Sequence, residues 1–235
     1  MHLIMFDLDG TLVDSNAIDS QCYLQALVDV FGFDLDKIDR NWGNYPHITD
    51  AGILQTLCQT ELGRNPTPGE LGDYQQRFLE LLIIAVSHKP LQSIAGASEI
   101  LDRLNADPDY AILFQRGSAN AIATGAWKQT AQFKLQQVRL DNIVIPMACS
   151  DDARARVDIM QCAYDRTLVF YRQSQFQTVT YIGDGVWDGI ASKQLNYHFI
   201  GIVTGERVAD LIATGAKCVF PNYQNLVEIM SEIIE

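Results

Sequence analysis

Cysteine, histidine and positive charge are all in short supply in this 235-residue chain, and each shortage closes off a class of function. The five cysteines (Cys22, Cys58, Cys149, Cys162 and Cys218) are widely spaced, with no CxxC pair. An odd, scattered set reads as reduced thiols, not as a disulfide framework, and points to a cytoplasmic location. Four histidines, equally scattered, give no basis for a zinc centre. Lys and Arg total 17 against 29 Asp and Glu, a formal net charge of -12. Nucleic acid and anionic membranes are bound by clustered cations, so neither is expected as a partner. A small phosphorylated molecule is not excluded, because it needs only a few local cations or a metal. Long apolar runs are lacking too. The one at the N-terminus is too short for a membrane span or a signal peptide, and no basic segment precedes it.

What is present is hydrophobicity in short pieces. At 48% hydrophobic residues the chain can bury a sizeable core, as one large domain or a core with a smaller companion. The runs "HLIMF", "NAIAT", "IVIPMAC", "VTYIG" and "HFIGIV" have the length and continuity of buried parallel strands. Helical spacing fills the gaps between most of them, as in "SEILDRLN", "WKQTAQFKLQQV" and "IASKQLN". This alternation predicts an α/β fold, a doubly wound parallel sheet with helices on both faces. Right-handed crossovers then bring the carboxyl ends of the strands to one edge, where ligands bind in such sheets. The alternation fails between residues 16 and 88, where only helix-like stretches occur, separated by the turn signals "NWGNYPH" and "GRNPTPGE". A single crossover rarely needs so much chain. Residues 16–88 are therefore expected to form a small helical cap domain inserted into a core made of 1–15 and 89–235. The alternative is that these helices merely cover one face of the sheet.

Two of the apolar runs end in acids. "HLIMFDLDGTLVDS" delivers Asp7 and Asp9, then turns through Gly10 and Thr11. "VTYIGDGVWDGIA" delivers Asp184, with Asp188 four residues on, where it would begin or cap a helix. Either stretch alone reads as an ordinary turn. Together they bring four carboxylates to one edge, at a cost in repulsion and desolvation that something must offset. Hard oxygen donors without nearby His or Cys select Mg²⁺, a metal that commonly shares its coordination with a phosphate.

These residues resemble a family. "FDLDGTLVDS" with "GDGVWD" is similar to the haloacid dehalogenase-like (HAD) phosphohydrolases, and in particular to their phosphoglycolate phosphatase and β-phosphoglucomutase group. The resemblance spans the whole chain and implies a Rossmann-like core with an inserted helical cap. It implies that Asp7 is the nucleophile that becomes an aspartyl-phosphate, and that Asp9 is the general acid and base. Asp184 would hold Mg²⁺ with Asp7 and the Asp9 backbone carbonyl, with Asp188 supporting that site. The family also places a Ser or Thr at the end of the second core strand. Thr124, followed by Gly125, fits that role. An earlier run, "YAILF", leaves Ser118 as the alternative, and the stretch 113–120 is extra chain against the family's spacing. A cation is expected after the next strand. The common "KPxP" form is absent, and "SDDARARVDIMQCA" offers Arg156 or Arg154 in its place.

In the expected cap, "NYPHITDAGI" carries His47, Thr49 and Asp50 at a turn into a helix, where substrate contact or simple helix capping would both suit them. Trp127 and Trp187 follow the two glycine-containing turns, as packing anchors or as the border of the site. The segment "VTGERVADLIATGAKCVFPNYQNL" resembles the closing part of the same fold. The expected activity is Mg²⁺-dependent hydrolysis of a small phosphorylated metabolite, by a monomer or homodimer. Asp9 argues against the dehalogenase branch, which needs neither that acid nor a metal. A phosphomutase of the β-phosphoglucomutase type and a non-catalytic relative that kept the fold stay open as alternatives, with structural Ca²⁺ binding the weakest.

Overall fold

The computed structural model describes residues 1–106 and 117–234. The run "YAILF" and the first part of the 113–120 stretch lie outside the described residues. Six strands form one parallel sheet: β1 (His2–Phe6), β4 (Ser118–Ala123), β5 (Met147–Ala148), β6 (Val179–Gly183), β7 (His198–Ile202) and β8 (Cys218–Phe220), in the order β5-β4-β1-β6-β7-β8. The chain winds outward from β1 in one direction through β4 and β5, and in the other through β6, β7 and β8. β1 therefore sits at the switch point, where an open α/β sheet leaves a crevice at its carboxyl edge. Helices α4 (Ala97–Ala106), α5 (Lys128–Gln137), α6 (Arg156–Phe170), α7 (Val186–Leu195), α8 (Arg207–Ala213) and α9 (Leu226–Ile234) complete this α/β layer structure.

The side-chain alternation of β1 divides the core in two. Leu3 and Met5 face one cluster with Ile159, Met160 and Ala163 of α6. Ile4 and Phe6 face the other, with Ile100 and Leu101 of α4 and Ile229 and Ile233 of α9. On β4 the residues toward α6 are Ala119, Ala121 and Ala123, all fully buried, and their small size lets that helix approach closely. The predicted strand "IVIPMAC" shortens to two residues. Pro146 has no N–H to give to a ladder, although its carbonyl accepts from Ile122 N at 2.9 Å, and β5 lies at the sheet edge where proline is tolerated.

Between β1 and α4 run three helices, α1 (Asn16–Phe31), α2 (Asp50–Leu62) and α3 (Pro68–His88). A short antiparallel pair, β2 (Val13–Asp14) with β3 (Gln92–Ser93), ties the chain together where it leaves the core and where it returns. Nothing in the sequence announced that pair. α3 starts with a capping box: the Thr67 hydroxyl accepts from Glu70 N, the Glu70 carboxylate accepts from Thr67 N, and Pro68 occupies the first turn. α1 and α3 pack through an aromatic cluster in which the Tyr23 ring lies edge-on to Tyr74 and Phe78, at centroid distances of 5.4 and 5.6 Å. The five cysteines are all unbridged. Among the described residues no helix is long and apolar enough to cross a membrane.

Phe78 is fully buried at the centre of the α1/α3 contact. Phe78→Ala is expected to cost about 3–5 kcal/mol of stability in chemical denaturation. A loss of less than about 1 kcal/mol would contradict the packing described for these helices.

Candidate active site

The first strand carries its ladder one residue further than its assigned end. Asp7 N donates to Ile182 O of β6 at 2.9 Å, which fixes the Asp7 backbone at the crevice. Thr124 is held the same way past β4, through Thr124 N to Ala148 O at 3.1 Å. Ser118, the alternative, opens β4 and so lies at the far end of the sheet from Asp7. After Asp9 the chain turns sharply at Gly10, with φ +74. A Cβ on Gly10 would lie 2.3 Å from both Asn16 Nδ2 and Asp184 Oδ2, so conformation and space both demand glycine. Gly183 is constrained by contact alone, because its Cβ would meet Asp188 Oδ2 at 2.5 Å.

Three buried carboxylates converge at this edge. Asp7, Asp184 and Asp188 each offer an oxygen, and these oxygens lie within 4.8 Å of one another. Two cations hold them. Arg156, in the first turn of α6, pairs through Nη1 with Asp7 Oδ1 at 3.0 Å and through Nε with Asp188 Oδ1 at 3.5 Å. Its Nη2 also donates to Ile48 O at 3.3 Å. Arg207 donates to the Asp184 backbone carbonyl at 2.5 Å and pairs with Asp184 Oδ2 at 3.2 Å. Asn16 Nδ2 donates to the same oxygen at 3.0 Å, and Gly185 N donates to Asp188 Oδ2 at 3.0 Å.

Asp9 belongs to a second group. Its Oδ1 accepts from the Ser15 hydroxyl and from Lys134 Nζ, the latter at 2.7 Å, and Lys134 also pairs with Asp19 of α1. Lys134 is fully buried. Asp7 and Asp184 of the first group and Asp9 and Asp19 of the second line one cavity of about 370 Å³, with Thr124, Gly125, Tyr23, Trp42, Arg40 and Trp187 among its walls. The start of α2 is fastened across the strand ends beside it. Asp50 N donates to Gly125 O at 2.8 Å, Trp127 N to Asp50 Oδ2 at 2.8 Å, and Ala51 N to Ser150 Oγ at 2.8 Å.

Burial dominates the electrostatics. It pushes Asp184 up to about 6, helped by the charge of Asp7 and resisted by Arg207 and Asn16. Asp7 and Asp188 are raised by the same desolvation, against the pull of Arg156 in each case. Burial also lifts Asp19 to about 6 despite Lys134. Arg156 and Lys134 lose by desolvation and gain more from the carboxylates around them, so both are held firmly protonated.

Of the residues singled out in the sequence, Asp7, Asp9, Thr124, Gly125, Arg156 and Asp184 line the cavity, and Asp188 sits behind Asp7 and Asp184. Arg154 is exposed, with its guanidinium on Gln55, and does not line the cavity. His47 is exposed and likewise outside it. Thr49 lines the cavity, but its hydroxyl is committed, donating to Arg154 O at 2.7 Å and accepting from Gly52 N as the cap of α2. Trp127 is buried away from the cavity while Trp187 borders it. Sequence reasoning missed Ser15, Asn16, Asp19, Lys134 and Arg207. The trace for Lys134 was a lone cation at helical spacing with Ala131, Leu135 and Val138, a position on an apolar stripe.

A family model described as haloacid dehalogenase-like hydrolase matches residues 4–202. No curated protein matches the chain. Among solved structures, a hydrolase from Pseudomonas syringae shares 22% identity at a TM-score of 0.70, over 99% of both chains. A candidate β-phosphoglucomutase from Bacteroides vulgatus shares 16% at 0.67, over 100% of this chain and 90% of its own. CbbY from Rhodobacter sphaeroides, solved in complex with phosphate, shares 15% at 0.64 over 95% of both. Identities this low show a common fold.

The raised Asp184 gives a signed pH dependence. Its carboxyl holds a proton more tightly in the folded chain, at about 6, than at its ordinary 3.8. That contribution to stability is complete below the ordinary value and is lost as pH rises through about 6. In metal-free protein, thermal unfolding should therefore show Tm falling across this window. Asp184→Asn, which carries no such proton, should flatten the fall. An unchanged slope in the variant would show that Asp184 is not raised.

Proposed function

The chain belongs to the haloacid dehalogenase-like hydrolases, and from that premise we propose that it is a Mg²⁺-dependent phosphohydrolase that works through a phosphoryl group on Asp7. The observation that carries this reading is the placement of Asp7, fixed at the end of β1, paired with Arg156, and clustered with Asp184 and Asp188. Residues 16–88, on this reading, are the cap that closes the substrate in.

The donor set fits the metal. Three carboxylates face two guanidinium groups, which leaves negative charge in excess before any phosphate arrives. Asp188 Oδ1 is buried and has no hydrogen-bond partner among the described residues, only the longer ion pair to Arg156. All the donors are hard oxygens, the choice of Mg²⁺. Asp7, Asp184 and the Asp9 carbonyl would hold the ion, with Asp188 in support. When bound it would neutralise phosphoryl oxygens and offset the repulsion among the carboxylates.

The rest of the chemistry falls to the chain. Arg156 fixes Asp7 through Oδ1, leaving Oδ2 to attack phosphorus. Thr124 and Gly125, at the end of β4, border the place of the phosphoryl oxygens, with Arg156 beside them as a donor. The bond from phosphorus to the ester oxygen breaks as Asp9 gives that oxygen a proton. Asp9, now a carboxylate, takes a proton from water as the water attacks the phosphoryl group on Asp7. Phosphate leaves and the Asp7 carboxylate is restored. Phosphoryl transfer depends chiefly on such positioning and charge neutralisation.

Hydrolysis of p-nitrophenyl phosphate and of alkyl phosphates, with and without Mg²⁺, tests the proposal. The wild type should release phosphate only with metal, and Asp7→Asn should fall to background while staying folded. Asp9→Ala should lose on the order of 10²–10⁴-fold with alkyl phosphates. Turnover that survives in Asp7→Asn, or proceeds without a divalent ion, would overturn it.

A further inference from the structure

Lys134 is a part of the site that the scheme above does not use. Its side chain is fully buried on α5 beside Ala131 and Leu135. Replacing a whole buried ion-pair network by apolar groups is often neutral or stabilising, although removing the cation alone leaves its carboxylates unpaired. The cation is nevertheless held between carboxylates from two other parts of the chain, Asp9 beyond β1 and Asp19 on α1. Both of the Asp9 contacts, from Lys134 and from Ser15, fall on Oδ1. Among the described residues no hydrogen bond or ion pair reaches Oδ2, although Asp9 lines the cavity.

We propose that Lys134 is a positioning residue for Asp9: anchored by Asp19, it clamps Oδ1 and leaves Oδ2 as the oxygen that serves the leaving group. The inference rests on the phosphohydrolase reading and deepens it. In the step concerned, the phosphorus–ester oxygen bond breaks with its electron pair going to that oxygen. The proton on Asp9 Oδ2 passes to the same oxygen, and the new bond to phosphorus is the one from Asp7. Free rotation of Asp9 about χ1 and χ2 would spoil that transfer, since a general acid works only within hydrogen-bond reach of its target. Lys134 is fully buried and does not line the cavity, and its contact to Asp9 is through Oδ1. Its effect must pass through Asp9, and that makes it separable from a plain tie between α5 and α1.

The test uses kcat/KM, which reports the chemistry up to loss of the alcohol, for alkyl phosphates and for p-nitrophenyl phosphate, whose leaving group needs little protonation. Lys134→Met should lose roughly 10- to 100-fold with the alkyl esters and no more than about threefold with the aryl ester. Lys134→Arg, which keeps the charge, should recover part of the loss. Asp19→Asn, which frees one end of the clamp, should show a smaller loss of the same pattern and serves if Lys134→Met does not fold. In an Asp9→Ala background Lys134→Met should cost nothing further on the alkyl esters. Equal losses on both ester classes, or full additivity with Asp9→Ala, would overturn the proposal. Should the wild type hydrolyse no ester at all, the phosphohydrolase reading fails first. Crystal structures then decide the clamp separately. An Asp9 carboxylate that turns away from its wild-type direction in Lys134→Met supports it, and one that stays in place refutes it.

Discussion

Like charges crowded at the end of a buried sheet govern this molecule. Asp7, Asp184 and Asp188 share a space where their oxygens lie within 4.8 Å, with Asp9, Asp19 and Asp50 on the walls of the same cavity. Water cannot screen them well there, so each raises the cost of ionising the next. Two fully or nearly buried cations keep the arrangement from flying apart. Arg156 bridges Asp7 and Asp188, while Lys134 bridges Asp9 and Asp19. The division matters chemically. It gives Asp7 and Asp9 separate partners, so that each can be aimed independently although they are two residues apart in the chain.

The scaffold serves that division. A parallel sheet sends all its strand ends to one edge, and β1 at the switch point puts Asp7 between the ends of β4 and β6. Backbone ladders extended by one residue hold Asp7 and Thr124, so neither depends on a loop for its position. From the other side α2 is fastened over the edge by hydrogen bonds to Gly125, Trp127 and Ser150. The burial of the acids at this edge strengthens every ionic contact there, including the unfavourable ones. Stability given up at the acids is compatible with the large apolar clusters on the two faces of the sheet.

Much of the fold was legible because buried parallel strands leave uninterrupted apolar runs, and five of them stood out in the sequence. The acids were legible for a related reason: an Asp directly after such a run has only the sheet edge to occupy. Arg156 could be named because it opens a helix in the right interval, although spacing alone did not separate it from Arg154. The rest depended on contacts between distant parts of the chain. Lys134 and Asp9 are 125 positions apart, Asn16 and Asp184 are 168 apart, and no local pattern encodes either pairing. The β2–β3 tie was hidden for the same reason, since two-residue strands have no periodicity to read. Thr49 shows the opposite hazard. A polar residue facing the cavity looks like a substrate contact until its hydroxyl is found capping α2.

The central claim is that Asp7 carries a phosphoryl group during turnover, and acid-quench trapping reads it most directly. On the proposed scheme Asp9→Ala retains Asp7 and the residues that would hold the metal but lacks the base for the second half of the reaction, so the intermediate should accumulate. Protein quenched during reaction with an aryl phosphate and Mg²⁺ should carry one phosphoryl group on the peptide containing Asp7. The label should be released by hydroxylamine, as an acyl phosphate is. Phosphate released by the wild type, with the quenched variant bearing no label or bearing it on another residue, would contradict the account.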